Sequence, residues 1–167
     1  GLGGWGEYTV VSEGRAIKVD ADTPLEIACV IGCAVQTGVG AVLNTAKVEE
    51  GATVLVMGLG GIGISIVQGA RLANAARIIV SDPVASRRDY ASNFGATDIL
   101  DPEADDVVAR AIELTGGIGV DYAFDAAGNS KLISDGLQAS RIGGTTVMVG
   151  AELHGVSEEG LRLADRH

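Results

Sequence analysis

Gly58, Gly60 and Gly63 are the residues whose type and spacing most directly imply chemistry. They follow a β-branched apolar run, Thr53-Val-Leu-Val-Met57, and open a segment with an apolar helical face. An acid, Asp82, stands nineteen residues past Gly63, at the end of a second apolar run, Arg77-Ile-Ile-Val-Ser81. Strand, glycine loop, helix, strand, acid is the order a dinucleotide fingerprint requires. Gly58 makes the tight turn, Gly60 lets the backbone approach a pyrophosphate, and Gly63 lets helix and strand pack closely. Leu59, Gly61 and Ile62 belong to the same loop. The phosphates would lie at a helix N-terminus, where free N–H groups and the helix dipole favour negative charge. The expected ligand is a dinucleotide.

Asp82 has two readings that do not exclude each other. With Pro83 it makes an N-cap followed by proline at the first helical position. It also stands where an acid accepts hydrogen bonds from the adenosine ribose. A carboxylate there repels a 2′-phosphate, which favours NAD over NADP. Arg87 and Arg88 either accept such a phosphate or lie on a solvated helix face.

Cys29 and Cys33 are spaced i, i+4, and on spacing alone they read as two buried thiols acting as small apolar residues. Two cysteines without a third or fourth ligand cannot close a zinc site. His154 and His167 lie in the C-terminal stretch, and nothing ties them to a metal. No Ser/His/Asp arrangement stands out. Asp121, Asp125 and Asp135 read as ribose-side or solvent-facing, Asp105-Asp106 as a helix N-terminus, and Glu158-Glu159 as a solvated turn.

The elements that must position these residues follow from the apolar pattern. Strands are expected at roughly 53–57, 77–81, 97–100, 120–124 and 145–149, alternating with helices at roughly 61–73, 84–94, 105–115 and 130–139. Short connections with alternating β and α predict an α/β Rossmann fold, a doubly wound parallel sheet with helices on both faces, truncated at one edge. Gly95 suits a helix C-cap and Asp105 an N-cap. Upstream, Thr23-Pro24-Leu25-Glu26 has the form of a capping box, predicting a helix from Pro24 to about Gly32. A second helix is expected over roughly 37–46. Glu7 to Val11 and Arg15 to Val19 suggest a hairpin. The chain thus divides into a remnant of another domain (1–22), a dinucleotide-binding domain with its leading helices (23–150) and an unassigned tail (151–167), as an excised domain would.

Composition bounds the rest. Apolar residues make up 47% of the 167 and aromatics only 4%, so the core must be Val, Ile, Leu and Ala, as in strands buried on both faces. A net charge of −10 argues against nucleic acid. No apolar run is read as approaching the ~20 residues that span a bilayer, and no export signal is seen. A soluble, cytoplasmic protein is expected.

Longer motifs carry a family resemblance. Val30-Ile-Gly-Cys33-Ala-Val-Gln-Thr37-Gly-Val-Gly40, Asn44-Thr-Ala-Lys-Val48 and Val56-Met-Gly-Leu-Gly-Gly-Ile-Gly63 resemble the zinc-dependent medium-chain alcohol dehydrogenases, most nearly the class III, glutathione-dependent formaldehyde dehydrogenase branch. Phe94-Gly-Ala-Thr97, Gly119-Val-Asp-Tyr122 and Val147-Met-Val-Gly150 extend the match, which runs from Tyr8 to about Gly150 and covers less than half of the family's usual chain. The resemblance implies that Cys33 is the third protein ligand of a catalytic zinc, and Cys29 stays a core thiol. It implies that Thr37 packs near the nicotinamide ring, Arg87 lies near the adenosine ribose, and the Val149-Gly150 backbone meets the nicotinamide carboxamide. The implied reaction is reversible oxidation of a primary alcohol or hemithioacetal by NAD, with zinc as Lewis acid. The upstream zinc ligands, the proton relay and the structural-zinc lobe are absent, and the tail from Ala151 departs from the family. The isolated chain is therefore expected to hold no catalytic zinc and to be inactive, while the full-length protein is expected to form a homo-oligomer. The competing readings are a non-catalytic NAD-binding module, a zinc-free quinone reductase, which Cys33 with Asp82 argues against, and a methyltransferase, whose loop is usually Gly-x-Gly-x-Gly.

Overall fold

The computed structural model describes residues 7–150. Five strands, β1 (Thr53–Met57), β2 (Arg77–Ser81), β3 (Asp98–Leu100), β4 (Val120–Asp125) and β5 (Ser140–Met148), form one parallel sheet in the order β3-β2-β1-β4-β5. The helices are α1 (Leu25–Ala46), α2 (Gly61–Leu72), α3 (Ala85–Ala91), α4 (Val107–Leu114) and α5 (Ser130–Ala139). Alternate residues of β1 feed two cores. Val54 and Val56 pack with Val42, Ile66, Val67 and Phe124 on one face, and Leu55 and Met57 pack with Ile79, Ala111, Ala123 and Ala139 on the other. The doubly wound arrangement predicted from sequence is the fold observed.

The leading segment departs from expectation. Instead of two helices, α1 is one continuous helix that passes through two π turns, Ile31–Val35 and Ala41–Ala46. Gly32, where the break was expected, meets nothing within 4 Å, while Gly38 further along gives close packing. A Cβ on Gly38 would stand 2.5 Å from Ser65 Cβ, and one on Gly69 3.1 Å from Val42 Cβ, so α1 and α2 cross nearly backbone to backbone. The capping box does not form. Pro24 is the N-cap and no side-chain bond closes the helix start. At 22 residues and a mean hydropathy of 1.7, α1 also has the length and composition of a membrane-crossing helix, which corrects the reading that no apolar run comes near it. Core helices of soluble proteins share those two properties. Leu25, Ile27, Val30 and Ile31 are exposed along it.

The expected hairpin over 7–19 is absent among the described residues, where only a short 3₁₀ turn, Glu13–Arg15, occurs. Tyr8, Val10 and Ile17 are about nine-tenths exposed, so no buried face rewards pairing there. Residues 1–6, turn-like in their glycine-rich sequence, and the tail 151–167 lie outside the described residues. Strand β5 begins at Ser140 rather than near 145, because its pairing with β4 shifts register between Val120 and Tyr122. Gly143, at φ +76°, lies in the extra residues that this bulge inserts.

Asp121 anchors that bulge. Its carboxylate accepts from Arg141 Nε at 2.5 Å and from the Thr53 amide at 2.8 Å. Burial pushes this carboxyl up, but the hydrogen bonds from Arg141 and Thr53 and the guanidinium charge outweigh it and hold it below the ordinary carboxylate value. A depressed folded value means stability present above the unfolded-state value, about 3.9, and lost as pH falls through the folded one. Acid titration of unfolding free energy should therefore show wild type more stable than Asp121→Asn at neutral pH, with the gap closing below about pH 4. A gap constant across that range would refute the assignment.

Candidate dinucleotide site

In the strand order β3-β2-β1-β4-β5, the order in which strands are added reverses between β1 and β4, and in open parallel sheets ligands bind beyond the carboxyl ends at such a switch point. Gly58 follows β1 there at φ +94°, its amide donating to the Ser81 carbonyl at 2.8 Å. A Cβ on Gly63 would lie 1.8 Å from the Gly58 carbonyl oxygen, so the first turn of α2 presses directly on the loop. Gly60 is the N-cap of α2 with extended backbone, and a Cβ there would meet nothing within 4 Å. No side chain caps this end. The first amides of α2 therefore face open space across Gly60, a cradle suited to phosphate. Gly61 packs toward Ala34 of α1, where a Cβ would come 3.1 Å from the alanine methyl.

Asp82 is only 3% exposed at the carboxyl end of β2. Its Oδ2 accepts from the Leu59 amide at 2.7 Å, binding the acid to the glycine loop, and its Oδ1 accepts from the Val84 amide at 2.8 Å. Asp82 is not the helix N-cap, since α3 starts one residue after Val84, which takes that position without a side-chain bond. Proline at 83 turns the chain before the helix rather than in its first turn. The two arginines separate clearly. Arg88 donates to the carbonyls of Asp82 and Pro83 at 2.7 and 3.0 Å and to Asp101 Oδ2 at 2.6 Å, which occupies it in holding the ends of β2 and β3 together. Arg87 is half exposed and lies 3.7 Å from Asp82 Oδ2, at the rim of the same carboxylate.

Between α1 and the end of β5 lies an open cleft of about 560 Å³, lined by Gln36, Thr37, Asn44, Val147 and Val149 among others. Thr37 and Val149, read separately in the sequence, thus share one cavity. Gly150 closes against the loop after β4, where a Cβ would fall 2.1 Å from the Gly128 nitrogen. Cys33 is exposed in the first π turn of α1, one turn before Thr37, and Cys29 is exposed as well rather than a buried core thiol. Among the described residues no group of three or more His, Cys, Asp or Glu side chains could hold a metal ion. Cys33 alone does not make a tetrahedral zinc site.

The scattered aspartates resolve into structural roles that sequence reading did not assign. Asp125, placed there as ribose-side or solvent-facing, is fully buried, and its carboxylate accepts from the amides of Ala127, Gly128 and Asn129. An Asp ending an apolar strand and followed by Ala-Ala-Gly-Asn is an Asx-turn signal that would have found it. Asp135 pairs with Lys131 on α5. Asp106, not Asp105, caps α4 by accepting from the Ala109 amide, while Asp105 accepts from the Asp101 amide.

A family model described as zinc-binding dehydrogenase matches residues 61–165. The match runs past Gly150, so the reading that the tail departs from the resemblance is corrected. S-(hydroxymethyl)glutathione dehydrogenase of Saccharomyces cerevisiae is 41% identical over 161 residues, covering 93% of this chain and 42% of its own length. Alcohol dehydrogenase class-3 of Pisum sativum is 40% identical over 158 residues, with the same shares. Among solved structures, an alcohol dehydrogenase zinc-binding domain protein from Burkholderia ambifaria superposes with a TM-score of 0.83 at 40% identity, over 93% of this chain and 43% of its own. Benzyl alcohol dehydrogenase from Acinetobacter calcoaceticus gives 0.79 at 33%, over 88% and 41%. The chain spans about two-fifths of the length of the curated relatives it matches.

Proposed function

The chain belongs to the zinc-binding dehydrogenase family, and from that premise we propose that it is the NAD-binding part of an NAD-dependent zinc alcohol dehydrogenase. The observation that carries the reading is the Asp82 carboxylate, buried at the end of β2 and bonded to Leu59 in the glycine loop. The residues present suit NAD: open space before Gly60 would admit the pyrophosphate, and the Asp82 carboxylate, with Arg87 at its rim and lone pairs left beyond its bonds to Leu59 and Val84, would accept from the ribose hydroxyls. The cofactor, when bound, supplies the hydride acceptor. Residues 58–63 fix the phosphates, Asp82 holds the adenosine ribose hydroxyls, and Thr37 with Val149 and Gly150 bounds the cavity for the nicotinamide. Thr37, Val147 and Val149 would orient the ring at the mouth of that cleft when it is bound.

Cys33 is proposed as one thiolate ligand of zinc in the intact enzyme, the other ligands coming from outside the described residues. The substrate class is a primary alcohol or a hemithioacetal and its aldehyde counterpart, in a cytoplasmic homo-oligomer that engages neither membrane nor nucleic acid. Residues 23–150 act as the cofactor domain, and 1–22 belong with the substrate-binding part. By itself the chain binds NAD without turning substrate over.

Calorimetric titration with NAD and NADP at fixed salt tests this. NAD is expected to bind at least about tenfold more tightly, a difference of about 1.4 kcal/mol, since a 2′-phosphate would face the Asp82 carboxylate. Tighter NADP binding would sink the role of Asp82, and binding of neither would sink the reading as a whole.

A further inference from the structure

We propose that Asp125 is a positioning residue for the nicotinamide end of the dinucleotide, acting through the backbone of residues 126–129 and of Val149 and Gly150; the inference rests on the function proposed above. Asp125 ends β4 at the switch point and is fully buried. Its Oδ1 accepts from the Ala127 and Gly128 amides, both at 3.0 Å, and its Oδ2 from the Asn129 amide at 3.2 Å. Its own carbonyl accepts from the amides of Val149 and Gly150, both at 2.9 Å. One residue therefore ties the loop after β4 to the end of β5. Among the described residues it makes no ion pair. Converging amide donors suit a carboxylate, which only accepts.

The tied segments are walls of the site. The loop after β4 is wedged between the two others: a Cβ on Gly58 would meet Ala127 Cβ at 3.1 Å, and one on Gly150 would meet the Gly128 nitrogen at 2.1 Å. Val149 continues into the cleft that Thr37 lines. Loosening the Asp125 bonds lets the Val149 wall shift against the glycine loop. The adenosine side is anchored separately, by Asp82 on Leu59 and by Arg88 on Asp101. The two ends of one ligand thus depend on different residues.

Titration of the chain with NAD and with ADP-ribose, which lacks the nicotinamide, tests the division. Asp125→Asn replaces one acceptor oxygen with an amide that cannot accept from the loop. NAD affinity is expected to fall about tenfold, the scale of one or two lost hydrogen bonds, and ADP-ribose affinity less than about twofold. Equal loss for both ligands, or none for either, overturns the inference. Failure of the wild type to bind NAD would instead overturn the proposed function. If Asp125→Asn does not fold, amide exchange in the wild type decides. NAD but not ADP-ribose should slow exchange at Ala127, Gly128, Val149 and Gly150 together, and a response confined to one of the two segments overturns the coupling.

Discussion

Gly63→Ala is expected to destabilise the fold by about 3 kcal/mol or more and to abolish dinucleotide binding, because overpacking against atoms that cannot yield lies at the costly end of its range. The added Cβ would stand 1.8 Å from the Gly58 carbonyl oxygen and 2.8 Å from its carbon, both backbone atoms. Relief requires moving α2 away from β1, and α2 is held from behind by α1 at Gly38 and Gly69. Gly60→Ala makes the contrast. Its φ of −71° suits any residue, and the Cβ meets no protein atom. That variant is expected to unfold in urea close to the wild-type midpoint yet to lose cofactor affinity, since the methyl fills the space before the phosphate cradle. Equal stability of Gly63→Ala and wild type would show that the loop and helix are not in contact as described.

Asp82→Ala is expected to cost the largest share of NAD affinity of any single side-chain truncation, about a hundredfold or more, with a loss of about 2 kcal/mol in stability. The stability term comes from the Leu59 and Val84 amides, which lose their acceptor at a site where Asp82 and Leu59 are shielded from water. Buried amides left unpaired cost about 1–3 kcal/mol each, reduced where water enters the vacated space. The affinity term adds charge-assisted bonds to ribose hydroxyls at about 1.5–3 kcal/mol apiece. Asp82→Asn keeps one acceptor and should fall between. Parallel titrations with NAD and NADP check the sign: the variant should lose discrimination between the two, and retention of NAD preference would move the ribose contact to another residue.

Some parts of the molecule were legible because a run of residues carries the signal, and others were hidden because a single residue does. Strands β1, β2 and β4 each carry a central apolar run, as burial on both faces demands, and their boundaries are legible to within a residue. Asp82 was placed correctly relative to the glycine loop, yet its cap role was not, since an Asx turn and an N-cap share the same residue types. The sequence splits α1 into two helices because Gly32 looks like a stop, whereas the helix runs on through a π turn there. Only the position of α2 shows that Gly38 is there to let two backbones meet. The start of β5 was hidden because Gly143-Gly144 interrupt the apolar pattern, where the structure has a bulge. Asp125 left no trace in any periodicity, because its role lies in amides supplied by its neighbours. The exposed face of α1 and the lone Cys33 point to contacts that the described residues do not supply.

The strand order also sets when the site can exist. β1 pairs with β2 across one short crossover, but its other edge pairs Val54 with Tyr122, far along the chain. Loop-closure entropy makes the local pairing early and the distant one late, and parallel topologies with such separations fold slowly. The glycine loop lies at that late seam, with Gly58 against Ala127. A dinucleotide bound as proposed would find its cradle only once the long-range pairing has closed. Bound cofactor is then expected to act as a latch on the finished sheet, slowing the unfolding limb of a chevron while leaving the refolding limb where it was.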